Sequence, residues 1–245
     1  MPRPTILRGV KARSNAHDDY LAQEHASTTV QGDGGFKEEG SGSHSYTSES
    51  FLIAKLRLTS LHVSIRNSTS SERVAIMEWP DCSDPSQAGV PAVIAFQDES
   101  SPIWGFAALN HPKRIENLRV LLESGEHYKD LRDVAKRQLA AHSQGRTASE
   151  VIGEFVQCVF NYAHSKGKID KKHCRYLFIT PGSWGDPEKW SFSNAIKPIV
   201  SLDCVSFLDD VEAGALRLGK MLLAQSKRRG ILVLNVDGKS LLDIF

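Results

Sequence analysis

The sequence has no excess of charge, no long apolar run and no signal for secretion. Its 30 Lys and Arg residues balance 29 Asp and Glu residues, which leaves a net charge of +1. Composition therefore predicts no nucleic-acid or acidic-lipid partner. Every apolar run is far shorter than the roughly 20 residues of a membrane-spanning helix, and the chain opens without the basic segment and apolar run of a signal peptide. We expect a cytoplasmic protein that contacts no membrane.

The spacings typical of metal sites are missing as well. The four cysteines include no C-x-x-C pair, which zinc sites usually have because one turn supplies two ligands. The nine histidines include no H-E-x-x-H pattern. Without a signal peptide, scattered thiols are expected to be reduced and structural. The sequence thus predicts no metal ligands.

Composition divides the chain near residue 50. Residues 1–50 are polar, and Gln31–Ser50 consists mainly of Gly, Ser and charged residues. Such a segment cannot bury enough apolar surface to offset the entropy lost on ordering, so we predict a disordered tail. The rest of the 245-residue chain, residues 51–245, is long enough for one sizeable core.

Alternating apolar residues predict strands in the first half of this folded part. FLIAKLRLTSLHVSI, which starts at Phe51, contains two period-2 runs that change phase near Thr59, as two strands joined by a tight turn would. Further strands are predicted at RVAIMEWP, VPAVIAFQ and IWGFAAL. The five strands together predict a β-meander. The segment Leu118–Leu122 fits either a short strand or a helix.

The second half has the period of helices between strands. Thr147–Gly167 is predicted to be a helix, because Thr147 and Glu150 match a capping box and apolar residues recur along one face. RYLFIT, LDCVSFL and ILVLNV predict strands. Helices are predicted between them, the first with Asp186 as its N-cap. The expected fold class is α/β, a mixed sheet in which β-α-β-α-β follows the meander.

Three stretches, in this order, resemble the seventy-kilodalton heat-shock chaperones and their fungal relatives. YLFITPGSWGDPEKWSFSNAI is similar to a strand, loop and helix that this family writes as Y-V-I-T-V-P-A-x-W-S-D. VSFLDDVEAGAL is similar to L-I-S-E-P-E-A-A-A-L, and LVLNVDGKSLLD lies where the family has V-C-D-x-G-G-G-T-x-D. Upstream, EWP, VPAVIAF and IWGFAA resemble W-P, V-P-T-x-I-A-Y and W-G-F of the fungal branch. The resemblance extends from about Phe51 to Phe245.

The resemblance implies an actin-like ATPase domain with a ribonuclease H-like fold. The chain would hold the first lobe of that domain and end at the start of the second. In the family, two glycine-rich hairpins hold the phosphates of ATP and Mg²⁺ through backbone N–H groups, and glycine lets the backbone come close. The positions that correspond to nucleotide-binding residues are Thr59, Ser60, Asp210, Asn235, Gly238, Lys239 and Ser240.

Both hairpins depart from the family pattern. In the first, Leu56 stands where the family has Asp, and Leu58 stands where it has Gly. In the second, Asn235 replaces Asp and Gly238 alone remains of three glycines. Asp237 places a carboxylate where the backbone would meet an anionic phosphate. The expected cofactor is therefore none, with ATP and Mg²⁺ as the alternative that the resemblance implies.

The matching residues also have structural interpretations. We favour a role in turns for Thr59, Ser60 and Ser240, because hydroxyl side chains often bond to the local backbone. Asp210 fits either a former ligand of metal or water or a helix N-cap. The G-K-S that ends at Ser240 is no Walker loop, since Val233 stands where the first Gly belongs.

These departures favour a degenerate actin-like lobe that has no catalytic residue and no effective ATP hydrolysis. Such a protein would act by contact with a protein partner, which the sequence does not identify. The alternative is a weak ATP-binding, chaperone-like ATPase that forms part of a longer product. A third hypothesis is a truncated product that folds poorly, because its last strands would lack partners.

Overall fold

The computed structural model describes residues 49–67, 73–97, 101–223, 231–236 and 239–244. For residues 217–223 and for the last two ranges, the description concerns the backbone. Residues 1–48 of the predicted tail lie outside the described residues, as do Asp237 and Gly238 of the second hairpin.

The described strands and helices alternate in the second half of the chain, as the pattern predicts. The strands are β1 (Ser50–Leu56), β2 (Ser60–Asn67), β3 (Arg73–Ala75), β4 (Gly89–Pro91), β5 (Ile94–Ala95), β6 (Ile103–Trp104), β7 (Arg114–Ile115), β8 (Cys174–Thr180), β9 (Val205–Asp209), β10 (Ile231–Val236) and β11 (Lys239–Ile244). The α-helices are α1 (Lys129–His142), α2 (Ala148–Gly167), α3 (Asp186–Ile196) and α4 (Asp210–Leu223). Short 3-10 helices lie at Gly105–Ala108, Leu118–Leu122, Lys171–His173 and Leu202–Cys204.

The largest sheet is mixed and has the strand order β3-β2-β1-β8-β9, with β4 also paired to β2. Strands β1, β2 and β3 are antiparallel neighbours. Strand β8 pairs in parallel with both β1 and β9. The expected α/β class and mixed sheet are confirmed.

The five-stranded meander is confirmed only in its first part. The predicted strand at Val90–Gln97 is two strands, because the chain bends where the Val93 N–H donates to the Pro91 carbonyl, 2.9 Å away. Strand β4 joins the large sheet, and β5 lies in a separate sheet of order β6-β5-β7. The strand predicted for IWGFAAL ends at Trp104, because Gly105 has a φ of +64° and begins a 3-10 helix.

Helix predictions based on capping are accurate to one residue. Helix α2 begins after Thr147, whose side chain and that of Glu150 form the expected capping box. Helix α3 begins at Asp186, so its N-cap is Gly185 and not Asp186 as predicted. The undecided segment Leu118–Leu122 is a 3-10 helix.

Helix α2 covers one face of the large sheet and forms the core with it. The register of β1 against β8 puts Ala54 beside Phe178, and both side chains are buried. The Phe178 ring stacks on Phe160 of α2 at 5.6 Å and meets Phe192 of α3 edge-on at 5.0 Å. This aromatic cluster packs α2 and α3 against the sheet. None of the helices in the described ranges has the length and apolar character needed to cross a membrane.

Candidate functional site

A cleft of about 260 Å³ lies at the carboxyl ends of the parallel strands. Strands β1, β8 and β9 end at one edge of the sheet, and the chain leaves β1 toward β2 on the side opposite β8. Open α/β sheets bind ligands at such a point, where connections leave in opposite directions. Lys55–Ser60, Arg119, Tyr128 and Asp210 line the cleft.

The turn between β1 and β2 closes without a glycine. The Arg57 N–H donates to the Ser60 carbonyl, and the Ala92 N–H donates to the Thr59 carbonyl, each at 2.9 Å. No residue of this turn has a positive φ. Leucine therefore fits at position 58, and the half-buried Leu58 lines the cleft.

The two hydroxyl residues of this turn, Thr59 and Ser60, line the cleft together with a second cleft of about 330 Å³ beside the turn. The Ser60 Oγ lies 3.2 Å from Nε2 of His62, a contact within the sheet. Burial lowers the pKa of His62, and the positive charges of Arg57 and Lys55 lower this pKa further. The Ser60 contact is with a neighbouring side chain, whereas the predicted role in the turn is a bond to the local backbone.

Asp210 lies in the cleft and bonds to the loop after β8. Its Oδ1 accepts a hydrogen bond from the Gly182 N–H at 2.9 Å. Asp210 is not the N-cap of α4; the preceding residue, Asp209, is. The Asp209 Oδ1 accepts a hydrogen bond from the Glu212 N–H at 2.6 Å, and α4 begins at Asp210. The sequence pattern placed the cap one residue too late.

Arg119, which lines the cleft, belongs to a buried ion pair that the sequence did not predict. Arg119 Nε lies 2.8 Å from Glu123 Oε1, and the side chains are only 9% and 10% exposed. Trp184 donates from Nε1 to the same carboxylate oxygen at 3.1 Å. The Arg119 guanidinium carbon lies 5.1 Å from the centre of the Tyr128 ring. The four-residue spacing of Arg119 and Glu123 was the available signal.

The second predicted hairpin is present in the backbone. Strands β10 and β11 are antiparallel, with Asn235 opposite Ser240 and Val236 opposite Lys239. The proposed nucleotide-binding residues thus fall into two groups, because Thr59, Ser60 and Asp210 share the cleft, while the other described ones lie on this hairpin. Gly238 lies outside the described residues.

Among the described residues, no three His, Cys, Asp or Glu side chains are arranged to hold a metal ion. The cysteines are free thiols. Burial raises the pKa of Cys158 and of Cys174 to about 11, so both remain protonated at neutral pH.

The chain matches no protein-family model and no curated protein. The cleft is lined by two hydroxyl residues, one carboxylate residue and several cationic residues, beside a turn that contains leucine.

Proposed function

We propose that this chain is a degenerate lobe of the actin-like ATPase fold, of the heat-shock chaperone type, without effective ATP hydrolysis. It acts through contact with a partner protein. The observation that carries the proposal is that Leu58 lines the cleft, at the position where the resemblance implies glycine.

The turn between β1 and β2 disfavours phosphate binding for three reasons. Leu58 occupies space that bare backbone would leave open to the ligand. The Arg57 N–H is already bonded to the Ser60 carbonyl, so this amide is not available as a phosphate donor. In addition, Leu56 supplies no carboxylate for a metal ion. A site of this kind lacks the preorganised charge stabilisation that phosphoryl transfer requires.

The arrangement of elements supports the assignment to this fold. Antiparallel strands β1–β3 precede a β-α-β-α succession that starts at β8, as the resemblance implies. The turn of the first hairpin and the start of α4 meet at one cleft, where the family would place the phosphates.

Phosphate release from ATP with Mg²⁺ tests the proposal directly. We expect no turnover above that of buffer, because the first hairpin offers leucine and the second offers Asp237 in place of open backbone. The matched control is Asp237→Ala. Turnover that Asp237→Ala or Thr59→Val abolishes would overturn the proposal.

A second candidate, a weak ATP-binding and chaperone-like ATPase, is favoured by one observation. Thr59, Ser60 and Asp210 line the same cleft although 150 residues separate Ser60 from Asp210 in the sequence. A ligand at a hundredfold excess over its Kd stabilises a protein by about 2.7 kcal/mol. A rise in melting temperature with millimolar ATP and Mg²⁺ that Thr59→Val removes would support this candidate. An unchanged melting temperature counts against it.

A further inference from the structure

Two of the four cysteines lie close together at the amino ends of neighbouring parallel strands. Strand β8 begins at Cys174, and Cys204 directly precedes β9. The register pairs Tyr176 with Val205, so the two cysteines lie two residues and one residue before this pair. Both line a cavity of about 310 Å³, at the ends of these strands that are opposite the cleft.

The placement of this pair suits a disulfide. Neighbouring strands are about 4.8 Å apart, and an offset of one residue adds about 3.3 Å along them. Two α-carbons in this relation are about 6 Å apart, within the range of about 4.4–6.8 Å for disulfide-bonded residues. Because Cys204 ends a 3-10 helix, strand alternation does not turn its side chain away, and it packs against the core to which Cys174 belongs.

We propose that Cys174 and Cys204 form an oxidation site, at which a small-molecule disulfide such as glutathione disulfide converts the two thiols into an internal disulfide. The Cys204 thiolate attacks one sulfur of the reagent, forms a mixed disulfide and releases one glutathione. The Cys174 thiolate then attacks the Cys204 sulfur and releases the second glutathione. The two protein thiols are oxidised, the reagent is reduced to two thiols, and the two cysteine protons pass to these thiols. Neither step depends on the proposed function.

The order of the two steps follows from the burial of the two thiols. Cys204 is half-buried, whereas Cys174 is only 3% exposed, so the reagent reaches Cys204 first. Burial is the main cause that raises the pKa of Cys174 to about 11, and the charge of Cys204 adds to this rise. Since the thiolate is the attacking species, the second step is slow at neutral pH. Cys82 and Cys158 do not line this cavity.

The internal disulfide closes a loop of residues 174–204 that contains α3. A cross-link restricts the unfolded chain, so an unstrained disulfide stabilises the folded state. We expect oxidation to raise the melting temperature by about 5–10 °C. Reduction with dithiothreitol should reverse this rise.

The test incubates the full, reduced chain with glutathione disulfide at about pH 8.5, where the thiolate fraction is higher, and maps its peptides without reduction. We expect one cross-linked pair of peptides, which holds Cys174 and Cys204. Cys204→Ser should abolish both the cross-link and the rise in melting temperature. Cys82→Ser is the matched control and should keep both. Melting curves check that the reduced variants fold, and Cys204→Ala replaces Cys204→Ser if that variant unfolds.

The same reaction in urea distinguishes a pair held by the fold from thiols that meet by chance. The unfolded chain should need at least about tenfold more glutathione disulfide, at fixed reduced glutathione, for the same extent of cross-linking, because an open chain holds the thiols at a lower effective concentration. Equal requirements for the folded and unfolded chain would overturn the proposal. Cross-links between other cysteines, mixed disulfides alone in the folded chain, or a melting temperature that oxidation does not raise would overturn it as well.

Discussion

The Asp210 carboxylate holds the backbone of Gly182, with Oδ1 2.9 Å from the Gly182 nitrogen, across 28 residues of sequence. This bond ties the start of α4 to the loop after β8. There is little room for adjustment, since a Cβ added to Gly182 would lie 2.9 Å from a methyl carbon of Val211. The contact fixes the side of the cleft that faces the β1–β2 turn.

Removing this carboxylate should destabilise the fold measurably. We expect Asp210→Ala to lower the free energy of unfolding by about 1–3 kcal/mol, because the Gly182 N–H loses a charged acceptor. Urea unfolding at pH 7 measures the loss. Asp203→Ala is the matched control, since Asp203 is exposed in the segment before β9. Equal losses in the two variants would show that the bond contributes nothing.

The buried pair of Arg119 and Glu123 predicts a larger effect. Glu123→Gln keeps the shape of the side chain and an acceptor for Trp184, but leaves Arg119 charged and buried without its partner. Breaking such a pair costs about 3–5 kcal/mol. Replacing both residues, with Arg119→Met and Glu123→Leu, should cost less than the two single changes together. Strictly additive losses in urea unfolding would contradict a coupled pair.

Local sequence patterns predicted the strands and helices in which buried residues recur at a regular spacing. Period-2 apolar residues identify β1 and β2, because the alternate side chains Leu52, Ala54 and Leu56 are buried in the core. The Thr147 capping box identifies the start of α2, since both of its hydrogen bonds are made within four residues. In each case the physical cause lies close to the residues that carry the signal.

Elements that depend on distant or polar contacts were not predictable in this way. Helix α1 was missed although Val134, Ala135 and Leu139 are spaced as on one helix face, and one of its buried residues is the polar Arg132. Arg132 is buried because its guanidinium donates to the Glu123 carbonyl at 3.0 Å. The ion pair beside the cleft also depends on a distant residue, because Trp184, 61 residues further along the chain, donates a hydrogen bond to Glu123.

Close packing of α2 against α3 predicts that Gly153 tolerates no side chain. A Cβ at this position would lie 2.5 Å from the backbone carbonyl oxygen of Ala195. Alanine favours a helix over glycine by about 1 kcal/mol, but the clash with fixed backbone should outweigh this gain and destabilise Gly153→Ala by about 1–3 kcal/mol. Gly125→Ala is the control, because nothing lies within 4 Å of its Cβ. Higher stability of Gly153→Ala in urea would show that the helices are not in contact here.

Stability should fall in mild acid because two histidines have lowered pKa values. Burial is the main cause for His164, followed by the charge of Lys171, and burial is also the main cause for His62. Each pKa in the folded state lies below the ordinary value of 6.5, so below about pH 6.5 the unfolded chain binds more protons than the folded one. The stability present above that pH is then lost progressively.

Histidine substitution separates this effect from the titration of carboxylates. His164 Nε2 lies 3.0 Å from the Tyr176 hydroxyl, so His164→Gln keeps a polar partner for the tyrosine and removes the titrating ring. We expect the variant to lose less stability than the parent between pH 7 and about pH 5.5, since it has one fewer group that gains a proton on unfolding. Identical slopes for His164→Gln and the parent in urea titrations would show that His164 does not contribute to the acid sensitivity.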